Sequence, residues 1–180
     1  REHVSIHRSS TKGESTVVGD NCLLMGGSHI AHDCVLGSNI IMANMAGIAG
    51  HVEIGDRAFI GGGAMIHQFV KVGAVAIVAG NARMSMDIPP YMIAAERNQV
   101  WGINVVGLRR AGLSPQAIRE IRETYRIFFR TPAPRTQLIA EIKSKGFAAA
   151  EVQVFLKFVE ESKRGVCRSH LELSQVPAGE

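Results

Sequence analysis

The stretch Ile30-Ala31-His32-Asp33-Cys34-Val35, Leu36-Gly37-Ser38-Asn39-Ile40-Ile41, Met42-Ala43-Asn44-Met45-Ala46-Gly47, Ile48-Ala49-Gly50-His51-Val52-Glu53 divides into four hexads of one pattern. Each opens on an aliphatic residue or Met and continues with Ala or Gly. Extended in both directions, reading in sixes gives Val18, Leu24, Ile30, Leu36, Met42, Ile48, Ile54, Ile60, Ile66, Val72, Val78 and Met84 at the first position, twelve hexads without a slip. Second positions are mostly Gly or Ala, broken by Met25, His67 and Ser85. Fifth positions from Cys22 to Ala82 are small or β-branched.

A period of six with an apolar first residue predicts a parallel β-helix. Each hexad supplies a short flat strand and a corner, and three hexads close a triangular coil of 18 residues. First-position side chains stack inside the prism, with successive coils about 4.8 Å apart. Small second and fifth residues are expected where the chain turns tightly. Hexapeptide repeats of this kind resemble the left-handed β-helices, an exception to the usual crossover hand. The expected fold is therefore a left-handed parallel β-helix of hexapeptide repeats followed by a small C-terminal helical domain. Residues 18–89 make four coils, residues 4–8 end an earlier one, and residues 9–16 form a polar loop.

The repeat stops at Asp87-Ile88-Pro89-Pro90, where two prolines deny ladder donors. This divides the chain into a β-helix over 1–90 and a linker with helices over 91–180. Residues 91–113 read as a connecting segment. Ser114-Pro115 is a helix start, with Ser capping and Pro at the first helical position. Ala117, Ile118, Ile121, Tyr125, Phe128 and Phe129 then recur at helical spacing up to Thr131-Pro132. Further helices are expected over 136–145, closed by Gly146, and over 149–163, with Val152, Phe155, Phe158 and Val159 on one face. The tail from His170 is polar and expected to fray.

Composition narrows the function classes. Apolar residues make up 46 % and aromatics only 6 %, so the core is built from small aliphatics. No run approaches the roughly 18–20 apolar residues of a membrane helix. Cys22, Cys34 and Cys167 have no paired metal-ligand spacing and make no disulfide framework, which points to a reducing, cytoplasmic setting. The opening Arg1-Glu2-His3 does not read as a secretory leader, and a strand-like start without Met is expected of a piece of a longer protein. Residues 1–100 carry 7 Lys/Arg against 8 Asp/Glu, and residues 101–180 carry 13 against 8. The basic half suits an acidic partner or a phosphorylated ligand. It lacks interleaved aromatics and any nucleic-acid motif, so no nucleic acid is expected. Outer faces carrying Met42, Met45 and Met65 are expected to be covered by other copies of the chain.

Stacking by 18 turns sequence offsets into columns. His32, Gly50 and Gln68 share one column, Asp33, His51 and Phe69 the next, and Ala31, Ala49 and His67 the one before; His29 runs directly into this face. A histidine at a solvated corner ordinarily does no chemistry. His67 differs, because an imidazole at a position otherwise held by Gly and Ala implies a groove for it to line. Asp33 beside His32 offers a carboxylate to orient the ring. A His poised near neutral pH is the natural general base for a hydroxyl. Gly50 stands over His32, where a backbone N–H without a Cβ can meet a developing oxyanion. Base, orienting carboxylate and oxyanion donor suffice for acyl transfer to a hydroxyl without a covalent intermediate. Cys22 and Cys34, at fifth positions, read as core residues rather than nucleophiles.

The runs Gly27-Ser28-His29-Ile30-Ala31-His32-Asp33-Cys34, Ala49-Gly50-His51-Val52 and Ile66-His67-Gln68-Phe69 resemble the UDP-N-acetylglucosamine O-acyltransferase family. So do Asp87-Ile88-Pro89-Pro90-Tyr91 and Gly102-Ile103-Asn104-Val105-Val106-Gly107-Leu108-Arg109-Arg110. The resemblance implies transfer of an (R)-3-hydroxyacyl chain from acyl carrier protein to the 3-hydroxyl of UDP-N-acetylglucosamine, the first step of lipid A biosynthesis, by a homotrimer with active sites between prisms. It implies no cofactor beyond the carrier-protein thioester and no metal. It makes His32 the base, Asp33 its partner and the Gly50 N–H the oxyanion donor. His29, His51, His67 and Gln68 would line the cleft, Asn104 and Arg110 would contact the nucleotide, and Gly80 would limit acyl-chain length. Arg suits a diphosphate through its planar donor fork. Two departures stand out: the motif ends Arg110-Ala111 where the family commonly has two adjacent basic residues, and the family's coil of further sugar contacts lies before Arg1.

Three other readings share the fold. A γ-class carbonic anhydrase-like zinc enzyme would use the histidines as ligands, but leaves Asp33, Gln68 and the Asn104/Arg110 segment without a role. A related UDP-sugar N-acyltransferase would keep the base and change the acceptor. A non-catalytic β-helix scaffold would need none of the histidines.

Overall fold

Every first-position side chain from Ile30 to Met84 is at least 97 % buried in the computed structural model, which describes residues 1–173. Each such burial is worth about 1.5–3 kcal/mol relative to exposure, and the repeat delivers it once per hexad. The strands are two residues long and pair in parallel into three columns. One holds Ser5–Ile6, His29–Ile30, Gly47–Ile48, Met65–Ile66 and Arg83–Met84. The second holds Val17–Val18, Val35–Leu36, Glu53–Ile54 and Lys71–Val72. The third holds Leu23–Leu24, Ile41–Met42, Phe59–Ile60 and Ile77–Val78. Partners are 18 residues apart, as in His29↔Gly47, with one exception: Ile6 pairs Ile30, 24 residues away. Six extra residues therefore enter that coil, in the polar loop.

The tight turn is at the fourth position of the hexad, not the second. Asn21, Asp33, Asn39, Met45, His51, Arg57, Phe69, Val75 and Asn81 all hold φ between 54° and 63°. That region costs a non-Gly residue roughly 1–2 kcal/mol. From Asn39 onward it persists because the ladder demands it: the fourth-position N–H donates to the preceding coil's third-position carbonyl, as His51 N does to His32 O (3.1 Å) and Phe69 N to Gly50 O (3.1 Å). Second positions are small for a different reason. The next coil's backbone lies directly against them, and a Cβ on Gly61 would be 2.4 Å from Gly80 N. Met42, at a first position, is fully buried rather than outward; Met45 and Met65 are the exposed methionines, at 65 % and 52 %.

The third column does not end at the prolines. Met92–Ala95 joins Ile77–Val78 in parallel at an offset of 16, and Gln99–Ile103 returns antiparallel against it. The segment expected to be a plain connection is thus two strands and a short helix α1 (Val105–Arg110). It was missed because its alternation follows neither the six-residue period nor the 18-residue offset. Helices α2 (Pro115–Arg130), α3 (Arg135–Ser144) and α4 (Ala150–Glu161) fall within two residues of their expected bounds. Ser114 Oγ accepts from Ala117 N (3.1 Å), the expected cap. Phe128 and Phe155 meet edge to face across α2 and α4, ring centroids 5.2 Å apart. The chain then returns to the prism: Arg168–Ser169 adds to Gln99–Ile103, and α5 (His170–Leu173) follows. His170, expected to fray, stacks on Trp101 at 4.8 Å; the remainder of the tail lies outside the described residues. Buried Asp87 clasps the two parts, accepting from Lys71 N (2.8 Å) and Ser162 Oγ (2.6 Å), while Asp87 N donates to Gly165 O (2.8 Å). Among the described residues no helix is long and apolar enough to cross a membrane.

The inter-coil contact at Gly61 makes a test. Gly61→Ala drives a methyl into backbone that cannot step aside, at a cost of about 1–3 kcal/mol or more. Gly102→Ala, where nothing lies within 4 Å of the added Cβ, serves as the control. Thermal unfolding should show a clear drop in Tm for the first variant and none for the second.

Candidate active site

A cleft of about 720 Å³ lies along the first strand column. The small or apolar residues Gly47, Ile48, Ala49, Met65 and Ile66 line its middle. His29, His32, Gly50, His67 and Gln68 also line it, so five of the ten expected site residues share one cavity. His51 is one step around the corner. Its ring stacks on Phe69 (4.6 Å) and meets His32 edge-on (5.3 Å), with Nε2 3.7 Å from Asp33 Oδ2.

His32 Nδ1 lies 2.7 Å from Asp33 Oδ2. In the tautomer that donates Nδ1–H to Asp33, Nε2 is the ring's accepting nitrogen. The ring rests on Gly50: a Cβ there would be 2.6 Å from His32 Cε1 and 2.8 Å from Nε2. Glycine at residue 50 is therefore what lets the imidazole lie over the next coil. The ladder draws on N–H groups at the second, fourth and sixth positions, and the fifth closes turns; among the described residues no third-position N–H, Gly50's included, takes part. The Gly50 N–H thus makes no backbone hydrogen bond of the ladder.

Asp33 is 8 % exposed and surrounded by donors. Ser10 Oγ donates to Oδ2 (2.6 Å), Ser9 Oγ donates to Oδ1, and Ser10 N donates to Oδ2 (3.3 Å). Its own N–H donates to Thr16 Oγ1 (2.9 Å). The Ser10 and Ser9 hydroxyls, with His32, hold the carboxyl well below the ordinary carboxylate range. All three hydroxyl residues come from the loop that the sequence marked only as polar. Its signal was the interruption of the hexads, which does not say where the loop folds.

His29 Nδ1 is 2.8 Å from Ser5 Oγ, and burial, then neighbouring His7, depresses its pKa. At the far end of the cleft stand Arg83 and Arg97. Arg164 reaches the same region, its Nε donating to Ser85 O (3.1 Å) and its NH2 lying 3.5 Å from His67 Nδ1. No sequence pattern places Arg164 beside a residue 97 positions away. Cys34 is buried, its Sγ 3.1 Å from Ala49 O, and burial raises its pKa, in keeping with a core residue.

Three expected residues lie elsewhere. Asn104 caps α1, its Oδ1 accepting from Gly107 N (2.8 Å) and its Nδ2 donating to Val75 O (2.8 Å), so within this chain both ends of its amide are engaged. Arg110 is exposed at the last turn of α1. Gly80 sits on the corner shared with Gly62, whose carbonyl would be 3.3 Å from an added Cβ. None of the three lines the cleft of its own chain. His32, Asp33 and His51 put three ligand atoms within 4.8 Å of one another. Asp33's oxygens already accept from Ser9, Ser10 and His32, however, and this donor set suits a hydrogen-bonded pair better than a zinc ion.

Residues 87–167 match the family described as UDP-N-acetylglucosamine O-acyltransferase, domain 2, and residues 15–50 match the bacterial transferase hexapeptide repeats. The acyl-[acyl-carrier-protein]--UDP-N-acetylglucosamine O-acyltransferase of Aquifex aeolicus is 60 % identical over 173 residues, 94 % of this chain and 66 % of the relative. The solved UDP-N-acetylglucosamine acyltransferase of Francisella novicida superposes with TM-score 0.87 at 31 % identity, over 98 % of this chain and 67 % of that one. The chain belongs to the UDP-N-acetylglucosamine O-acyltransferase family. Its prism is the left-handed β-helix of that family. The Arabidopsis member superposes with TM-score 0.88 at 35 % identity, over 93 % of this chain and 62 % of its own. The chain thus spans about two thirds of the length of these relatives.

The depressed Asp33 carboxyl has a consequence for acid stability. Its folded pKa lies below the unfolded value of about 3.9, so its ionisation favours the folded state at neutral pH. That contribution is present above pH 4 and drains away as pH falls toward the folded pKa. Denaturant unfolding between pH 5 and 2 should show a shallower loss of stability for Asp33→Asn than for the unsubstituted chain.

Proposed function

We propose that this protein transfers an (R)-3-hydroxyacyl group from acyl carrier protein to the 3-hydroxyl of UDP-N-acetylglucosamine, the opening step of lipid A biosynthesis. The observation that carries the reading is the His32–Asp33 pair lying over the bare Gly50 at the edge of an apolar-lined cleft. His32 Nε2 takes the proton of the attacking hydroxyl. The oxygen adds to the thioester carbon, and the Gly50 N–H donates to the oxyanion. Collapse expels the carrier-protein thiolate, which recovers the proton from the imidazolium. Asp33 keeps the Nδ1 proton in place throughout and stabilises the charged ring. The apolar stretch of the cleft takes the acyl chain, and the basic C-terminal half suits an acidic carrier protein. Because the chemistry is acid–base and electrostatic, His32, Asp33 and Gly50 carry it without a cofactor. The setting is cytoplasmic, where thiols stay reduced.

The assembly proposed is a homotrimer. Exposed Val35, Met45, Met65 and Phe69 leave apolar surface on the prism that a neighbouring copy would cover. It would also bring the Asn104, Arg110 and Gly80 of one chain toward another's cleft, where their expected roles become geometrically possible. Sedimentation at micromolar concentration should give three times the 19.4 kDa chain mass; a stable monomer would count against the assembly and the shared site.

His32→Ala tests the chemistry. Loss of a positioned general base should lower kcat by about 10²–10⁴-fold and leave KM for UDP-N-acetylglucosamine nearly unchanged. Wild-type kcat across pH 6–8 from a folded His32→Ala would sink the reading.

A further inference from the structure

The six-residue excess between Ile6 and Val18 is the one departure from the 18-residue offset among the paired strands of the three columns up to Met84, and it ends on a single carboxylate. Ser10 Oγ and Ser9 Oγ each donate to a different oxygen of Asp33, and Ser10 N adds a third donor. Thr11 N donates to Ser9 Oγ (3.0 Å), which orients that hydroxyl. Thr16 Oγ1, from the end of the same loop, accepts from the Asp33 N–H and fixes its backbone. The Asp33 backbone is itself in the left-handed region, at φ 61°. A lone solvated carboxylate beside His32 would need none of this. Held on both oxygens, it has one rotamer, and that rotamer aims Oδ2 at His32 Nδ1 (2.7 Å).

We propose that Ser9 and Ser10 are positioning residues for the acyl-transfer reaction: they lock the Asp33 carboxylate toward His32 and set how much of its charge the imidazole feels. The inference rests on the transfer reading above. Hydrogen bonds to an anion share out its charge. With two hydroxyls donating, Asp33 orients the ring while part of its charge is taken up by the serines. His32 is then held in the orientation that a general base needs. The other titratable groups facing the pair are His51, edge-on to His32 with Nε2 3.7 Å from Asp33, and Cys34, whose thiol is raised by burial first and by Asp33 as a lesser cause. His29 and His67 line the same cleft further along.

The test compares the unsubstituted chain with two double variants, Ser9→Ala/Ser10→Ala and Ser9→Thr/Ser10→Thr. Acyl transfer to UDP-N-acetylglucosamine is measured from pH 5.5 to 9. The alanine pair should lose on the order of 10-fold or more in kcat, the usual range for partners that orient a site ligand, with KM little changed. The acidic limb of its pH–rate profile should move upward, because an undamped Asp33 charge favours the imidazolium. The threonine pair keeps both hydroxyls and should recover most of the rate. NMR titration of the His32 ring in the same proteins should show the same upward shift without needing turnover. An alanine pair with the original kcat and His32 titration overturns the proposal, as does an equal loss in both pairs with the titration unmoved. Absence of turnover by the unsubstituted chain overturns the transfer reading, while the ring titration still decides whether the serines control His32.

Discussion

The hydrogen-bond ladder between coils fixes most of what this molecule can do. Coils held at strand spacing bring each backbone within van der Waals reach of the next. Second positions then have no room for a side chain, as the 2.4 Å approach at Gly61 shows. The fourth residue must turn left-handed whatever its side chain, and Met45, Phe69 and Val75 comply against their own preference. The same constraint makes the site. A ring at residue 32 has to lie over residue 50, and glycine there leaves it space.

Regularity alone would give a scaffold, and the chemistry enters where regularity is broken. Six extra residues bend out of one coil and return three hydroxyl residues to Asp33. The strained turn that every coil repeats here faces a partner that uses it. His51, at the equivalent position one coil on, is braced by Phe69 rather than by hydroxyls and keeps a looser 3.7 Å approach to the same carboxylate. The corner therefore holds one tight pair, His32 with Asp33, and one peripheral ring that lies outside the lining of the cleft.

The helical part is tied to the prism by buried polar bonds. Asp87 joins Lys71, Ser162 and Gly165 around the end of the repeat, and Asn104 pins α1 to Val75. Unmaking either would strand polar groups out of water, which is costly in proportion to burial. This clasp is also what carries Arg164 to the cleft beside His67.

The sequence by itself determined the prism, its coil length, its inward residues, the column that unites His32, Gly50 and Gln68, and the three long helices. All of these follow from periodicity, and a period converts directly into spatial neighbours. It misplaced the turn within the hexad, because small residues at second positions mark close approach rather than the turn, and it put Met42 outside although first positions point inward. Only the tertiary structure decided what the aperiodic segments do. The 9–16 loop closes on Asp33, residues 92–103 extend the third column, and Arg164 returns across 97 residues. Such contacts depend on where an irregular backbone ends in space, and no local pattern of residues encodes that position.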